Sequence, residues 1–133
     1  MKLFFSFFLC LVLLQANISS VNIVPSLKED HFMGIKILDQ KQLSFDQIKG
    51  VKFAELSDIA YRTKTKTLYM VGDKGALFAF RAAFGRKIDT LVPLRATKLK
   101  NKKGKRFKKW KRDSEGLTLD GRGRLFISFE GKA

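Results

Sequence analysis

An all-β domain is predicted, and three observations predict it. Apolar residues fall in short extended runs separated by turn signals, no window of about 11 residues sustains a 3.6-residue period, and one strand–turn–strand unit occurs twice. At 133 residues, 45% hydrophobic and 29% charged, the chain has the composition of one globular domain with a packed core and no room for two sizeable ones. Only 2 prolines and 10 glycines exclude a low-complexity chain.

Residues 1–20 read as a secretory signal peptide. Met1-Lys2 supplies the positive start, and the apolar run Leu3–Leu14 contains one polar residue, Ser6. As a helix the run spans about 18 Å, short of the roughly 30 Å hydrocarbon core, so a membrane-spanning role is not expected. Export to a periplasm or the medium is expected, with cleavage near residues 16–20. An uncleaved anchor is the alternative, because no Ala-x-Ala pattern is present. Cys10, the single cysteine, lies inside the run and follows Leu9, where a lipoprotein signal requires a small residue. The domain at 21–133 is therefore free of cysteine and depends on packing, not disulfides. The triplet Asn17-Ile18-Ser19 fits a glycosylation acceptor but sits at the cleavage region and is discounted.

Along the domain, Lys28–His31 reads as a brief helical turn. Strands are expected at Phe32–Leu38, Gln42–Ile48, Ser57–Arg62, Thr67–Val71, Ala76–Arg81, Ile88–Leu99, Leu117–Leu119 and Arg124–Phe129. Asp73-Lys74-Gly75 and Asp120-Gly121-Arg122-Gly123 mark turns between them.

The net charge of +15 is concentrated. Between Arg95 and Arg112 lie 11 positive residues and no acid, so a near-neutral domain carries one basic segment, with Asn101-Lys-Lys-Gly104 as its expected turn. Lys102, Lys103, Lys105, Arg106, Lys108, Lys109, Lys111 and Arg112, interleaved with Phe107 and Trp110, are candidate anion-binding residues. Export argues against nucleic acid as the partner. A solvated loop or contact with an anionic envelope lipid or polysaccharide is expected instead.

The repeat is the most informative feature. Glu55-Leu-Ser-Asp-Ile-Ala-Tyr61 precedes a polar turn and Leu68-Tyr-Met-Val-Gly-Asp73; Asp113-Ser-Glu-Gly-Leu-Thr-Leu119 precedes a polar turn and Leu125-Phe-Ile-Ser-Phe-Glu130, 57 to 58 residues on. Two strands, a tight turn and a closing carboxylate describe the inner hairpin of a β-propeller blade. The period exceeds the roughly 40–50 residues of ordinary blades, which places the basic segment in an insertion or extended hairpin between the copies. A stand-alone barrel or sandwich is the alternative architecture.

The run "FAELSDIAYRTKTKTLYMVGDKGALFAF" (Phe53–Phe80) with "RDSEGLTLDGRGRLFISFEG" (Arg112–Gly131) resembles the N-terminal part of the phytase-like domain family, also called esterase-like activity of phytase proteins. The resemblance extends from Phe53 to Gly131, and its most specific element is Asp113-x-Glu115-Gly116-Leu117 followed by the Gly-rich turn, an apolar strand and Glu130-Gly131. It implies an exported β-propeller, with metal-assisted phosphoester or ester hydrolysis of a small molecule in full-length members. Two departures stand out. Asp58 occupies a position where the family more often has glycine, and the chain stops after its second repeat, so a partial propeller of about two blades, inactive by itself, is expected.

Glu55, Asp58, Asp73, Asp113, Glu115 and Glu130 recur at equivalent strand ends, so a ring would gather them near one mouth. Oxygen-only clusters suit Ca²⁺, and Asp113, Glu115, Glu130 and Asp73 are the candidate ligands. Carboxylates at strand ends also satisfy turn N–H groups, which is the structural alternative. Other templates fail: His31 is the single histidine, and no G-x-S-x-G, P-loop, G-x-G-x-x-G or Cys/His cluster occurs, so no organic cofactor and no catalytic residue is assigned. The competing function is a small basic binding module acting through residues 95–112. No obligate partner is expected beyond what completes a ring.

Overall fold

Alternating burial and well-placed turns set the strands, which the computed structural model describes over residues 17–21, 23, 31, 32 and 35–130. The apolar run 3–14, Cys10, most of the expected turn at 28–31, and Gly131 lie outside the described residues, as do the side chains of Lys109 and Trp110. The strands are β1 (Ile18–Ser20), β2 (His31–Phe32), β3 (Ile35–Lys36), β4 (Lys41–Leu43), β5 (Gln47–Ile48), β6 (Val51–Lys52), β7 (Leu56–Arg62), β8 (Thr67–Gly72), β9 (Ala76–Phe84), β10 (Ile88–Lys98), β11 (Ser114–Leu119) and β12 (Leu125–Phe129). Short 3-10 turns occupy Thr63–Thr65 and Lys109–Arg112. The fold is all-β: among the described residues there is no α-helix, and no helix is long and apolar enough to cross a membrane.

The chain divides into two compact units, residues 1–45 with 84–88 and residues 46–83 with 89–133. In the first, β1 pairs antiparallel with β4 and β2 with β3. The Asp39 carboxylate accepts the N–H of Gln40 at 2.9 Å and of Ile88 at 2.8 Å. The Ile88 bond foremost, then the Gln40 bond and the charges of Lys41 and Lys87, hold Asp39 below the ordinary carboxylate pKa against the opposing effect of burial.

Two expected strands are corrected here. Phe32–Leu38 is not continuous; its residues contribute to the short pair β2 and β3. Gln42–Ile48 ends at Leu43 and resumes as β5, because Phe45 and Ile48, three positions apart, are both buried and break the two-residue alternation of a single strand. The unexpected β6 follows β5 through Lys49-Gly50, both in the left-handed region at φ 49° and 76°, the requirement of a tight two-residue hairpin.

The second unit is built on a four-stranded antiparallel sheet ordered β10-β9-β8-β7. Residues 76, 78, 80 and 82 of β9 are buried and their neighbours are not, as period-2 patterning demands. By register Leu68 faces Phe80 and Met70 faces Phe78. The Phe53 ring meets Phe78 edge-on, with centroids 4.9 Å apart, and Phe80 at 6.0 Å, so the segment after β6 seals this face of the sheet. Pro93 is tolerated in β10 because β10 is an edge strand.

The opposite face carries Asp58 and Val71, register partners of β7 and β8, and receives the β11–β12 hairpin. Asp58 Oδ2 accepts the N–H of Leu117 on β11 at 2.7 Å, while its Oδ1 accepts the N–H of Ile59. The departure at Asp58 thus has a structural role: a carboxylate spans two strand pairs where a glycine would offer no acceptor.

The repeat is visible in the hydrogen bonds. In the first copy the ladder shifts register between Leu56 and Asp58, and Asp73 N–H donates to Glu55 O at 2.9 Å. In the second it shifts between Ser114 and Gly116, and Glu130 N–H donates to Asp113 O at 2.8 Å. Each copy is a bulged hairpin closed by the same bond.

Two substitutions test this packing by chemical denaturation. Phe78→Ala removes a fully buried ring and is expected to cost about 3–5 kcal/mol. Asp58→Ala leaves the Leu117 and Ile59 N–H groups without their acceptor and is expected to cost about 1–3 kcal/mol, against less than about 0.5 kcal/mol for the exposed Asp89→Ala.

Candidate functional site

The two hairpins deliver their closing residues to one end of the second unit. Asp113 enters β11, Glu115 sits on the β11 bulge, and Glu130 follows β12; their carboxylate oxygens lie within 4.8 Å of one another. Asp113 is half-buried and the two glutamates are exposed. Asp73, on the turn after β8, lies outside this trio but is tied to it through the backbone. Ser114, between two of the acids, is fully buried; its hydroxyl donates to Gly72 O at 2.6 Å, and its N–H approaches Asp73 O at 3.4 Å. The sequence motif contained Ser114 without revealing this role as the tie between copies.

The first copy supplies Glu55, held in the left-handed region at φ 53° just before the β7 bulge. A non-glycine residue there bears backbone strain, and its partners keep it in place. Its side chain pairs with Lys74 and shares a hydrogen bond with Asp73. Gly72 is required beside it, since a Cβ would stand 3.0 Å from Ala54 O and 3.3 Å from Glu55 O.

Like charges at this spacing move the carboxyls apart in acidity. Burial first, then the bond and charge of Glu55 and the charge of Asp113, raise Asp73. Asp73 Oδ1 is buried and has no hydrogen-bond partner among the described residues. Loss of solvation, then the charges of Asp113 and Glu130, a bond to Asp113 and the charge of Asp73, raise Glu115. Glu55 moves the other way, held low chiefly by its bond to Lys74. The end of the sheet therefore holds an oxygen-only cluster beside one ion pair, a donor set that fits a hard divalent cation.

The expected gathering of six acids is thus divided. Asp113, Glu115 and Glu130 meet, Asp73 and Glu55 adjoin them, and Asp58 is engaged by backbone N–H groups of β7 and β11. The basic segment begins in β10 and continues through a turn at Asn101–Gly104. There Asn101 Oδ1 accepts the N–H of Lys103 at 2.9 Å and of Lys105 at 3.1 Å. Lys102, Lys103, Lys105, Arg106, Lys108, Lys111 and Arg112 are exposed, and Lys100 and Arg106 form an antiparallel bridge.

A raised carboxyl in the folded state makes its ionised form a destabilising one. The penalty is present above the folded pKa and is relieved as pH falls through it. Glu115→Gln is therefore expected to raise the melting temperature of the metal-free protein at neutral pH. The difference should narrow as pH is lowered through the carboxylate range, where Glu115 itself becomes neutral. Thermal melts of both proteins in chelator check this, and an unchanged difference across that range would contradict it.

No curated protein and no solved structure matches the chain. The sequence pattern of the Phytase-like family, described as Esterase-like activity of phytase, matches residues 51–133, a span that holds the four-stranded sheet, both hairpin copies and the whole acidic cluster. With that match over more than half of its length, the chain belongs to the Phytase-like family.

Proposed function

We propose that this protein carries exported β-propeller repeats whose Asp113, Glu115 and Glu130, supported by Asp73, hold a divalent cation, calcium by donor type, the cation serving hydrolysis of a phosphoester or ester in the full-length form and this chain being inactive by itself. The observation that carries the reading is the convergence of three carboxylates within 4.8 Å, contributed by the ends of one repeated hairpin. An all-β member of the Phytase-like family is the setting in which such hydrolysis is expected. A meander of four antiparallel strands, with the inner strand of the next copy packed against its own inner strand, is the arrangement of adjoining propeller blades; β7–β10 have that order and β11 lies against β7. Export rests on the apolar run Leu3–Leu14 and its positive start.

The residues fit the ion for two reasons. Loss of solvation and then the charges of Asp113 and Glu130 raise Glu115, and the buried Asp73 Oδ1 lacks a partner among the described residues; a cation would offset the repulsion and give that oxygen a partner. Bound there, a calcium ion would supply Lewis acidity and charge neutralisation toward an ester oxygen. The chain's own part is to hold the carboxylates in register, through the Ser114–Gly72 bond and the twin closing bonds. The same packing raises Asp73 and Glu115, so their ionised forms carry a cost that a bound cation would offset.

Calorimetric titration of the full chain with calcium tests the reading. A saturable heat and an accompanying rise in melting temperature are expected, weakened at least about tenfold by Glu115→Gln, the loss common even for residues that only orient a ligand. Affinity should fall on acidification, beginning above the pH at which an unperturbed carboxylate titrates, because Asp73 and Glu115 retain protons there. Absence of both heat and thermal shift in the unsubstituted protein would overturn the cation site. Turnover of an aryl phosphate compared with an aryl acetate by a full-length member of the family decides between the ester classes.

A further inference from the structure

Beside the acidic cluster, the second unit contains a cavity of about 190 Å³ walled by cations from four separate parts of the chain: Lys52 on β6, Lys74 after β8, Lys98 at the end of β10, and Arg106 with Arg112 from the connection to β11. No carboxylate lines it. Lys74 is engaged by Glu55, whereas Lys98, Arg106 and Arg112 make no ion pair among the described residues. Its floor is the turn at Gly72–Gly75. Gly75 lies at φ 68°, and a Cβ there would stand 3.2 Å from Arg112 Cβ and from Arg112 O, so the wall closes on the turn only because that residue is glycine. Phe107 completes the wall and rests against Phe129 with ring centroids 4.9 Å apart, giving one apolar side.

We propose that this cavity binds a phosphate group. With Lys74 committed to Glu55, four cations still line the cavity without an acid and over-neutralise a single carboxylate, whereas a phosphate brings about −1.5 to −2 charges at neutral pH and three acceptor oxygens. Two guanidinium forks match those oxygens, and the lysines add point charges. The volume lies below the roughly 300–1,000 Å³ of pockets that enclose drug-sized ligands, so it suits one compact anionic group with its organic remainder emerging along Phe107. The exposed side chains of Lys98, Arg106 and Arg112 leave the cavity open to an incoming ligand. The site stands without a bound cation, since none of its lining residues belongs to the carboxylate trio.

The test is calorimetric titration of the full chain with inorganic phosphate in the presence of chelator. One phosphate per chain is expected. The double variant Lys98→Gln/Arg106→Gln should weaken it by about tenfold or more, and Lys102→Gln/Lys103→Gln, which removes the same charge from the exposed turn, by less than about threefold. Thermal melts of both variants establish that they are folded. No saturable heat, or equal weakening by the two variants, would overturn the pocket and leave only the diffuse charge of the basic segment. Glu115→Gln should leave phosphate binding intact in chelator, which separates failure here from failure of the cation site. With phosphate binding established, vesicles containing phosphatidic acid identify its source. Retention lost only in Lys98→Gln/Arg106→Gln supports a lipid headgroup, and no retention supports a soluble phosphorylated molecule. Retention lost equally in both variants assigns membrane contact to diffuse charge and overturns the lipid source.

Discussion

The buried Ser114 hydroxyl bonded to Gly72 O is the contact on which the arrangement depends. One hairpin alone would present two acids at its open end. Ser114 fastens the second hairpin to the end of β8 in the first, and Asp58 fastens β7 to β11 further along, so the same face of the sheet is gripped at two points. Bonds of this kind add only about 0.5–1.5 kcal/mol each, but each broken partner would leave a buried or half-buried donor or acceptor unpaired, which costs more than the bond contributes. Register is thereby set for every residue of the hairpin. A one-residue slip would turn Leu117 outward and carry the acids away from Asp73.

That grip explains why carboxylates remain close together despite repulsion. Burial first, and then the charges of the neighbouring carboxylates, raise the pKa of Asp73 and Glu115, and backbone bonds that do not depend on ionisation sustain the geometry. Lys74 balances the first copy through Glu55, while the trio of the second copy makes no ion pair among the described residues. Otherwise equivalent hairpins thus differ in charge: the first copy is balanced by Lys74 and the second leaves its carboxylates without a basic partner among the described residues.

Much of this was legible from residue order because it is local. Turn chemistry at Asp73-Lys74-Gly75 and Asp120–Gly123, alternation along Ala76–Arg81, and the spacing of the repeat all act within a few residues. The start of β11 was missed because Ser114, Glu115 and Gly116 have weak strand propensity, and tertiary bonds recruit them nonetheless. Gln42–Ile48 misled for the opposite reason, since its apolar content is real but its burial does not alternate. The cationic cavity left no trace at all. Lys52, Lys74 and Lys98 are separated by stretches of strand, and only the stacking of β6, β8 and β10 ends brings them to one wall, whereas the conspicuous basic run suggested an undivided charged loop.

Acidic and basic residues of the two groups adjoin along the chain at two dipeptides. At Asp73-Lys74 the acid adjoins the cluster and the base lines the cavity; at Arg112-Asp113 the same division recurs. Charges within roughly 8 Å of one another escape most salt screening, and the Lys74 charge already acts to lower Asp73, so a cation at one site and a phosphate at the other would favour each other's binding. Thermodynamic linkage makes that favour equal in both directions. The divided charge of one turn is therefore the physical basis on which the proposed cation and phosphate sites would behave as a single coupled equilibrium.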